Sequence, residues 1–338
     1  MLKNIFCLHP DELKKSMESL PGYRSKQLLH WLYDKHVFDP QLMSNLPAET
    51  RDELSDKLSF FLPQIDLKKT AKDGTTKYRL KLEDESIIEM VLIPDDKKNT
   101  LCVSSQVGCT RACNFCATGE LGLKRDLQTH EIVAQIMLGS SFCQPNRLTN
   151  LVFMGMGEPM DNLDNVLKAL SIIQADDTLS FSPRRTTIST CGITDGIIHL
   201  ADSKIKAKLA VSLNSAIDEK RSIIMPVNEI YPLKELKQAL KYYLTKSNFR
   251  VTFEYILIPG FNMGDEDISA LRRFAGDLSC KLNFIPYNTV PSLPYRSPSE
   301  AEIETFLKKA HSLNQAVTLR RSRGAEIFGA CGQLAGQK

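Results

Sequence analysis

Cys109, Cys113 and Cys116 stand at C-x3-C-x2-C spacing, and this triplet constrains the chain more than any other feature. Three thiols so close together read as metal ligands held in a loop, with a strand expected just before them at residues 100–105. Zinc usually takes four Cys or His ligands, often as two C-x2-C pairs, and no second pair occurs in the sequence. A [4Fe-4S] cluster also wants four sulfur ligands. With three supplied by protein, one iron is left open for an atom of a second molecule.

With 338 residues, 42% of them hydrophobic and 25% charged, the chain has room for one large domain and a small one. No apolar run approaches about 18 residues, so no membrane span is expected. The first residues lack a signal peptide's apolar core. Nine cysteines, an odd number, do not suit a secreted disulfide scaffold, and a reducing cytoplasm is the expected compartment. A net charge of +3 is compatible with a nucleic-acid partner without demanding one.

Three stretches differ in pattern. Residues 1–62 read as a helical module that either contacts nucleic acid or simply packs. Leu13, Met17 and Leu20 share one helical face. Ser25 is expected to cap a second helix carrying Leu28, Leu29, Trp31 and Leu32, and Pro47 opens a third. Residues 63–95 read as a β extension, with a turn at Asp73-Gly74 and an apolar run at 87–93. Glu89 interrupts that run, and period-two alternation points it out of the sheet.

Residues 96–338 alternate strand and helix. Strands are expected at 100–105, 149–154, 186–190, 207–212, 251–257, 281–286 and 315–320. Helices are expected at 128–143, 163–175, 194–203, 233–246, 264–279 and 298–313. This pattern means parallel strands with crossover helices, and six units predict an α/β fold, an incomplete (β/α)6 barrel. Chemistry in such folds sits after the C-terminal strand ends. There lie the cysteine triplet, Met154-Gly-Met-Gly-Glu158, Ser189-Thr-Cys-Gly192, Ser212-Leu-Asn214 and Pro286-Tyr-Asn288.

Gly155 and Gly157 lack the third glycine of a dinucleotide loop, and they are read as letting Glu158 approach a cationic amine. Cys7, Cys143, Cys191 and Cys280 read as packing residues. Lys124-Arg125, Arg184-Arg185, and Arg320-Arg321 with Arg323 are candidate phosphate contacts near the mouth.

Taken together, these residues resemble the radical S-adenosylmethionine (SAM) adenine methyltransferases of ribosomal RNA, the RlmN/Cfr family. The resemblance covers nearly the whole chain. It includes Gly22-Tyr-Arg-Ser-Lys-Gln-Leu-Leu-His-Trp-Leu-Tyr33, Cys102-Val-Ser-Ser-Gln-Val-Gly-Cys109, Met154-Gly-Met-Gly-Glu-Pro159, Met225-Pro-Val-Asn228 and Arg323-Gly-Ala-Glu-Ile-Phe-Gly-Ala-Cys331-Gly-Gln-Leu334. It implies that Cys109, Cys113 and Cys116 hold one [4Fe-4S] cluster. SAM, two molecules per turnover, would be bound at Gly157, Glu158, Ser189, Ser212, Leu213, Asn214 and Asn288. Asn214 stands where many relatives have His. The resemblance makes Cys331 the methyl-carrying cysteine, Cys102 its resolving partner and Glu89 the proton acceptor, against the outward orientation that alternation gives Glu89.

Adenine C2 is electron-poor and its hydrogen is not acidic, so polar methyl transfer has no nucleophile to use. In the family's scheme SAM methylates Cys331, and a 5′-deoxyadenosyl radical from a second SAM takes hydrogen from S-methyl-Cys331. The methylene radical adds to the adenine, and Cys102 releases the product, leaving a transient Cys102–Cys331 disulfide. The partners implied are 23S rRNA, tRNA at the adenosine 3′ of the anticodon, an electron donor such as flavodoxin, and a disulfide reductant; a monomer is expected. The nearest alternative is the C8-directed, Cfr-like branch associated with antibiotic resistance. A non-catalytic iron–sulfur RNA-binding protein would need neither Cys102 nor Cys331.

Overall fold

In the computed structural model, which describes residues 2–17 and 21–335, the strand-rich segments join into one open ten-stranded sheet. The first stretch comprises β1 (Lys3–Asn4), α1 (Pro10–Ser16), α2 (Tyr23–Leu29), α3 (Ala48–Lys57) and β2 (Leu58–Ser59), with β1 and β2 paired in parallel. Pro10 opens α1, where its missing N–H would have had no partner, and His9 with Glu12 forms a capping box. Leu13 and Met17 are buried, while Leu20 lies outside the described residues. Ser25 is not the cap of α2. That helix begins at Tyr23, and Ser25 Oγ donates back to the Gly22 carbonyl at 3.0 Å. Phe6, Leu13, Leu28 and Leu32 belong to the same apolar core as the sheet.

The antiparallel strands β3 (Gln64–Thr70), β4 (Thr76–Lys81) and β5 (Ile87–Asp95) follow, with the Asp73-Gly74 turn between β3 and β4. Strand β5 pairs with β6 (Lys98–Cys102), which starts the parallel array, so extension and core share one sheet. A separate hairpin, β7 (Gln106–Gly108) with β8 (Leu123–Asp126), brackets the cysteine loop. Next come α4 (Thr129–Phe142), β9 (Asn150–Phe153), α5 (Leu163–Gln174), β10 (Thr186–Thr190), α6 (Thr194–Asp202) and β11 (Lys208–Ser212). The chain continues through α7 (Asp218–Ile224), α8 (Leu233–Lys246), β12 (Val251–Leu257), α9 (Asp265–Ala275), β13 (Cys280–Pro286), α10 (Glu300–Ala310) and β14 (Ala316–Leu319).

Strands β6, β9, β10, β11, β12, β13 and β14 lie side by side and parallel, giving six β/α units and a last strand. The free edges are β14 and β3, so the barrel is incomplete as the sequence predicts. Leu151, Phe153, Ile188, Leu209, Val211, Phe253 and Leu282 are buried because helices cover one sheet face and the barrel interior the other. Gly139 lets α4 lie close on the sheet: a Cβ there would come within 2.4 Å of Leu101 Cδ2. Phe284 packs edge-on against Tyr255 at 5.6 Å and Phe306 at 4.9 Å, contacts worth about 1 kcal/mol each that fix α10. No helix among the described residues is long and apolar enough to cross a membrane.

Candidate active site

The cysteine loop is held in shape before any ligand binds. Cys109 N–H donates to the Gly122 carbonyl at 2.9 Å, closing the loop at the base of the β7–β8 hairpin. Gly108, at φ +83°, is required there, because a Cβ would lie 1.8 Å from the Gly122 oxygen. Within the loop, Cys116 N–H bonds to the Cys113 carbonyl at 3.0 Å, and Arg111 forks onto Asp161. Asn114 ties the loop to the end of α7 through the Ile223 and Ile224 carbonyls.

All three thiols open into one cavity of about 160 Å³ at the C-terminal ends of the strands. Gly157, Glu158, Ser189, Ser212, Asn214, Asn288 and Cys331 line the same cavity, with Met154, Ile256 and Ile285 as its apolar wall. Burial pushes the Cys109 thiol up to about 12 and Cys113 well above its ordinary value, and Cys116 is also raised. Such thiols ionise when a cation takes the proton's place. Among the described residues, no group of three His, Cys, Asp or Glu converges as ligands on a single ion would. A soft three-thiol set lining one largely apolar cavity instead fits a cubane cluster, whose corners each take one sulfur.

Glu158 is buried, with its pKa raised by desolvation, and its carboxylate accepts N–H bonds from Met160 at 3.0 Å and Cys191 at 2.7 Å. The two glycines before it make room for protein rather than for a ligand amine. A Cβ on Gly155 would lie 2.6 Å from the Val103 oxygen, and one on Gly157 2.5 Å from Gln106 Cβ. Gly157→Ala, at φ +97°, is expected to cost about 3 kcal/mol of stability, measured by denaturant unfolding, because neither chain can yield.

Asn214 sits in the left-handed region at φ 56°, its Oδ1 accepting the Ile256 N–H at 3.0 Å. Leu213 is the exception in the set: its side chain is buried in the core, it does not line the cavity, and its carbonyl accepts from Arg221 Nε. Cys191 is buried in the apolar core, as read from sequence, and also lines the cavity. Cys143 and Cys280 are buried and Cys7 is half-buried, and all nine cysteines are free thiols.

A second cavity of about 310 Å³ lies beside the first. Cys102, Lys98, Arg320, Arg321 and Arg323 line it, and Cys331 lines both. Burial, then the neighbouring Cys331, pushes the Cys102 thiol up to about 12. Cys331, followed by Glu254 and Cys102, holds the Arg320 guanidinium above its usual range. Sequence reading passed over Glu254, a buried carboxylate on β12 that accepts from Asn283 Nδ2 at 2.6 Å. No motif marks it.

Cys331 is placed by a tail strapped down at many points. Asn288 Nδ2 donates to the Cys331 carbonyl at 3.0 Å, and Ala117 N–H to the Gly332 carbonyl at 2.8 Å. Upstream, Gly324 N–H and Arg323 bond to Asp73 in the β3–β4 turn. Downstream, Ala335 N–H donates to Glu89 Oε2 at 3.1 Å. Glu89 is therefore not outward-facing. It is 1% exposed, with Oε1 paired to Lys77 Nζ at 3.0 Å, and it lines neither cavity.

The basic pairs separate. Arg125 is spent on Glu131 and Asp84, and Arg184 and Arg185 precede β10 and so stand at the strand end away from the mouth. Arg320, Arg321 and Arg323 follow β14 and reach the second cavity. A cleft of about 660 Å³ between the N-terminal module and the ends of α4 and α5 holds none of the expected site residues.

A three-cysteine loop at the mouth of an open parallel barrel defines a radical SAM enzyme, and the radical SAM superfamily model matches residues 103–274. Such enzymes use a [4Fe-4S] cluster and SAM. The model of the ribosomal RNA large subunit methyltransferase N-terminal domain matches residues 3–59. The dual-specificity RNA methyltransferase RlmN of Desulfotalea psychrophila is 41% identical over 99% of this chain and 94% of its own. A probable dual-specificity RNA methyltransferase RlmN of Dictyoglomus thermophilum is 40% identical over 98% and 97%. The crystal structure of a radical SAM methyltransferase from Sphaerobacter thermophilus superposes with a TM-score of 0.95 at 36% identity, covering 99% of this chain and 100% of that one. The chain belongs to the RlmN family and is a radical SAM RNA methyltransferase.

Proposed function

We propose that this enzyme methylates C2 of an adenosine in 23S rRNA, and of the adenosine 3′ of the anticodon in tRNA, by way of a methyl group carried on Cys331. The observation that most supports this is that Cys331 lines both the thiol-rich cavity and the basic one that holds Cys102. Cys109, Cys113 and Cys116 are the cluster ligands in this reading; Gly157, Glu158, Ser189, Ser212, Asn214 and Asn288, with the Leu213 backbone, are the SAM contacts. Bound there, the two cofactors supply an electrophilic methyl group and a hydrogen-abstracting carbon radical.

Cys331 accepts the methyl group on the cofactor side and presents it to the RNA base on the other. Burial keeps the Cys102 thiol raised, and the Arg320 guanidinium beside it offsets part of that rise. Cys102 Sγ then attacks Cys331 Sγ. The new S–S bond forms as the bond from Cys331 sulfur to the transferred carbon breaks, and the electron pair stays with that carbon, which takes a proton to become methyl. An external dithiol reopens the disulfide for the next turnover.

Glu89 takes the adenine ring proton, once the Ala335 N–H and Lys77 release its carboxylate, and the one electron that radical addition leaves on the ring returns to the donor side that supplied it. Glu89→Gln is expected to leave methylation of Cys331 intact and to lower methylated RNA roughly 100-fold or more, read by peptide and nucleoside mass spectrometry on the same sample.

The function itself is tested by giving anaerobically reconstituted protein, SAM and reductant either unmodified 23S rRNA or unmodified tRNA. The dual specificity named for the relatives makes both RNAs the right probes. 2-Methyladenosine in each is the expected product. 8-Methyladenosine would overturn the C2 assignment, and no methylated adenosine despite SAM cleavage would overturn the choice of substrate.

A further inference from the structure

Arg221, on α7, is fully buried, yet among the described residues its hydrogen-bond partners include no carboxylate. Its guanidinium is bonded to neutral oxygens. Nε donates to the Leu213 carbonyl at 3.1 Å, Nη1 to Asn228 Oδ1 at 2.7 Å, and Nη2 to the Cys191 and Ser212 carbonyls at 2.5 and 3.4 Å. Hydrogen bonds satisfy its donors, but they do not neutralise its charge. A buried cation without an anion is costly and seldom kept.

Nearby Asp218 is exposed, and its carboxylate is occupied by Asn228 Nδ2 and the Leu233 N–H. Burial pushes the Arg221 guanidinium below its ordinary value, and the thiols of Cys191 and Cys113, then Asp218, offset part of that. One helical turn further on, the Ile223 and Ile224 carbonyls hold Asn114 of the cysteine loop. The guanidinium thus ties together the chain after β10 and the chain after β11, both of which line the cofactor cavity, from a helix whose last turn holds the cysteine loop.

We infer that the missing counterion of Arg221 is the iron–sulfur cluster, and that Arg221 is a positioning residue that raises the cluster's reduction potential. Three thiolates around a doubly positive cubane leave one net negative charge, and adding an electron makes it two. A fixed cation in a dry setting favours the more negative state, and cluster potentials follow net charge and hydrogen bonding around the sulfurs. The inference rests on the cluster assignment made above, and it deepens that assignment.

The test compares reconstituted full-length wild type with R221M, R221Q and R221K. Dithionite titration monitored by electron paramagnetic resonance gives each midpoint, and iron content gives cluster loading. The expected result is a midpoint shifted to more negative values in R221M and R221Q and close to wild type in R221K. Loading lost in the two neutral variants and kept in R221K also supports a role for the charge. Neutral variants that load fully at an unchanged midpoint overturn the inference, as does equal loss of loading in all three. A wild-type protein that takes up no cluster overturns the cluster assignment as well, so the two failures are distinguishable.

Discussion

Cys331→Ala is expected to abolish RNA methylation while leaving cluster loading and reductive cleavage of SAM in place. Cys331 lines the cavity that holds Cys109, Cys113 and Cys116, but it is not one of that set, and removing one sulfur at the cavity wall empties no ligand position. Its loop is anchored by backbone bonds, from Asn288 Nδ2 to the residue 331 carbonyl and from Ala117 N–H to Gly332, and an alanine keeps both. The tail should therefore stay docked. What disappears is the thiol that lines both cavities and can carry a carbon from one to the other. The measurement pairs 5′-deoxyadenosine release with 2-methyladenosine formation. Residual methylation in C331A, even at 1% of wild type by the same assay, would mean the methyl group reaches RNA by another route.

How far the sequence revealed this arrangement depends on what each signal encodes. The parallel units were legible because their strands are near-continuous apolar runs and their helices carry an apolar stripe, two periods that do not mimic each other. Helix α7 was not legible. Asp218-Glu-Lys-Arg-Ser-Ile-Ile224 is seven residues long, and its inward residues include an arginine, which hydropathy reads as solvent-facing.

Glu89 was misread for a related reason. Alternation locates the wet face of a strand only when one face is wet, and in β5 Ile88, Glu89, Met90 and Val91 are all buried. A tail more than two hundred residues away in sequence covers the second face, with Lys77 supplying the charge on the neighbouring strand. The cysteine triplet was legible because metal-ligand spacing is local. The meeting of Cys102 with Cys331 is not local, and only the family resemblance anticipated it.

Cys102→Ala should trap the enzyme covalently on its RNA. In the proposed cycle the transferred carbon is bonded to both Cys331 sulfur and the base, and only attack on that sulfur releases it. Cys102 is the thiol that shares the basic cavity with Cys331; the other cysteine neighbours of Cys331 open into the cofactor cavity and are assigned to the cluster or lie against Glu158. Alanine leaves the first methyl transfer and the addition step untouched, so adduct should build toward one RNA per protein while free 2-methyladenosine falls to background.

The wild-type reaction also acquires a pH signature. Burial raises Cys102 to about 12, so the thiol is protonated at neutral pH and its thiolate fraction grows about tenfold per pH unit until that value is approached. If release limits turnover, the rate rises with pH over that range, and the small steady-state adduct in wild type shrinks in parallel. Denaturing gels of radiolabelled RNA across pH 7 to 9, wild type beside C102A, read both effects. An adduct absent from C102A, with normal product release, would take Cys102 out of the cycle and leave Arg320 facing a thiol that plays no part in it.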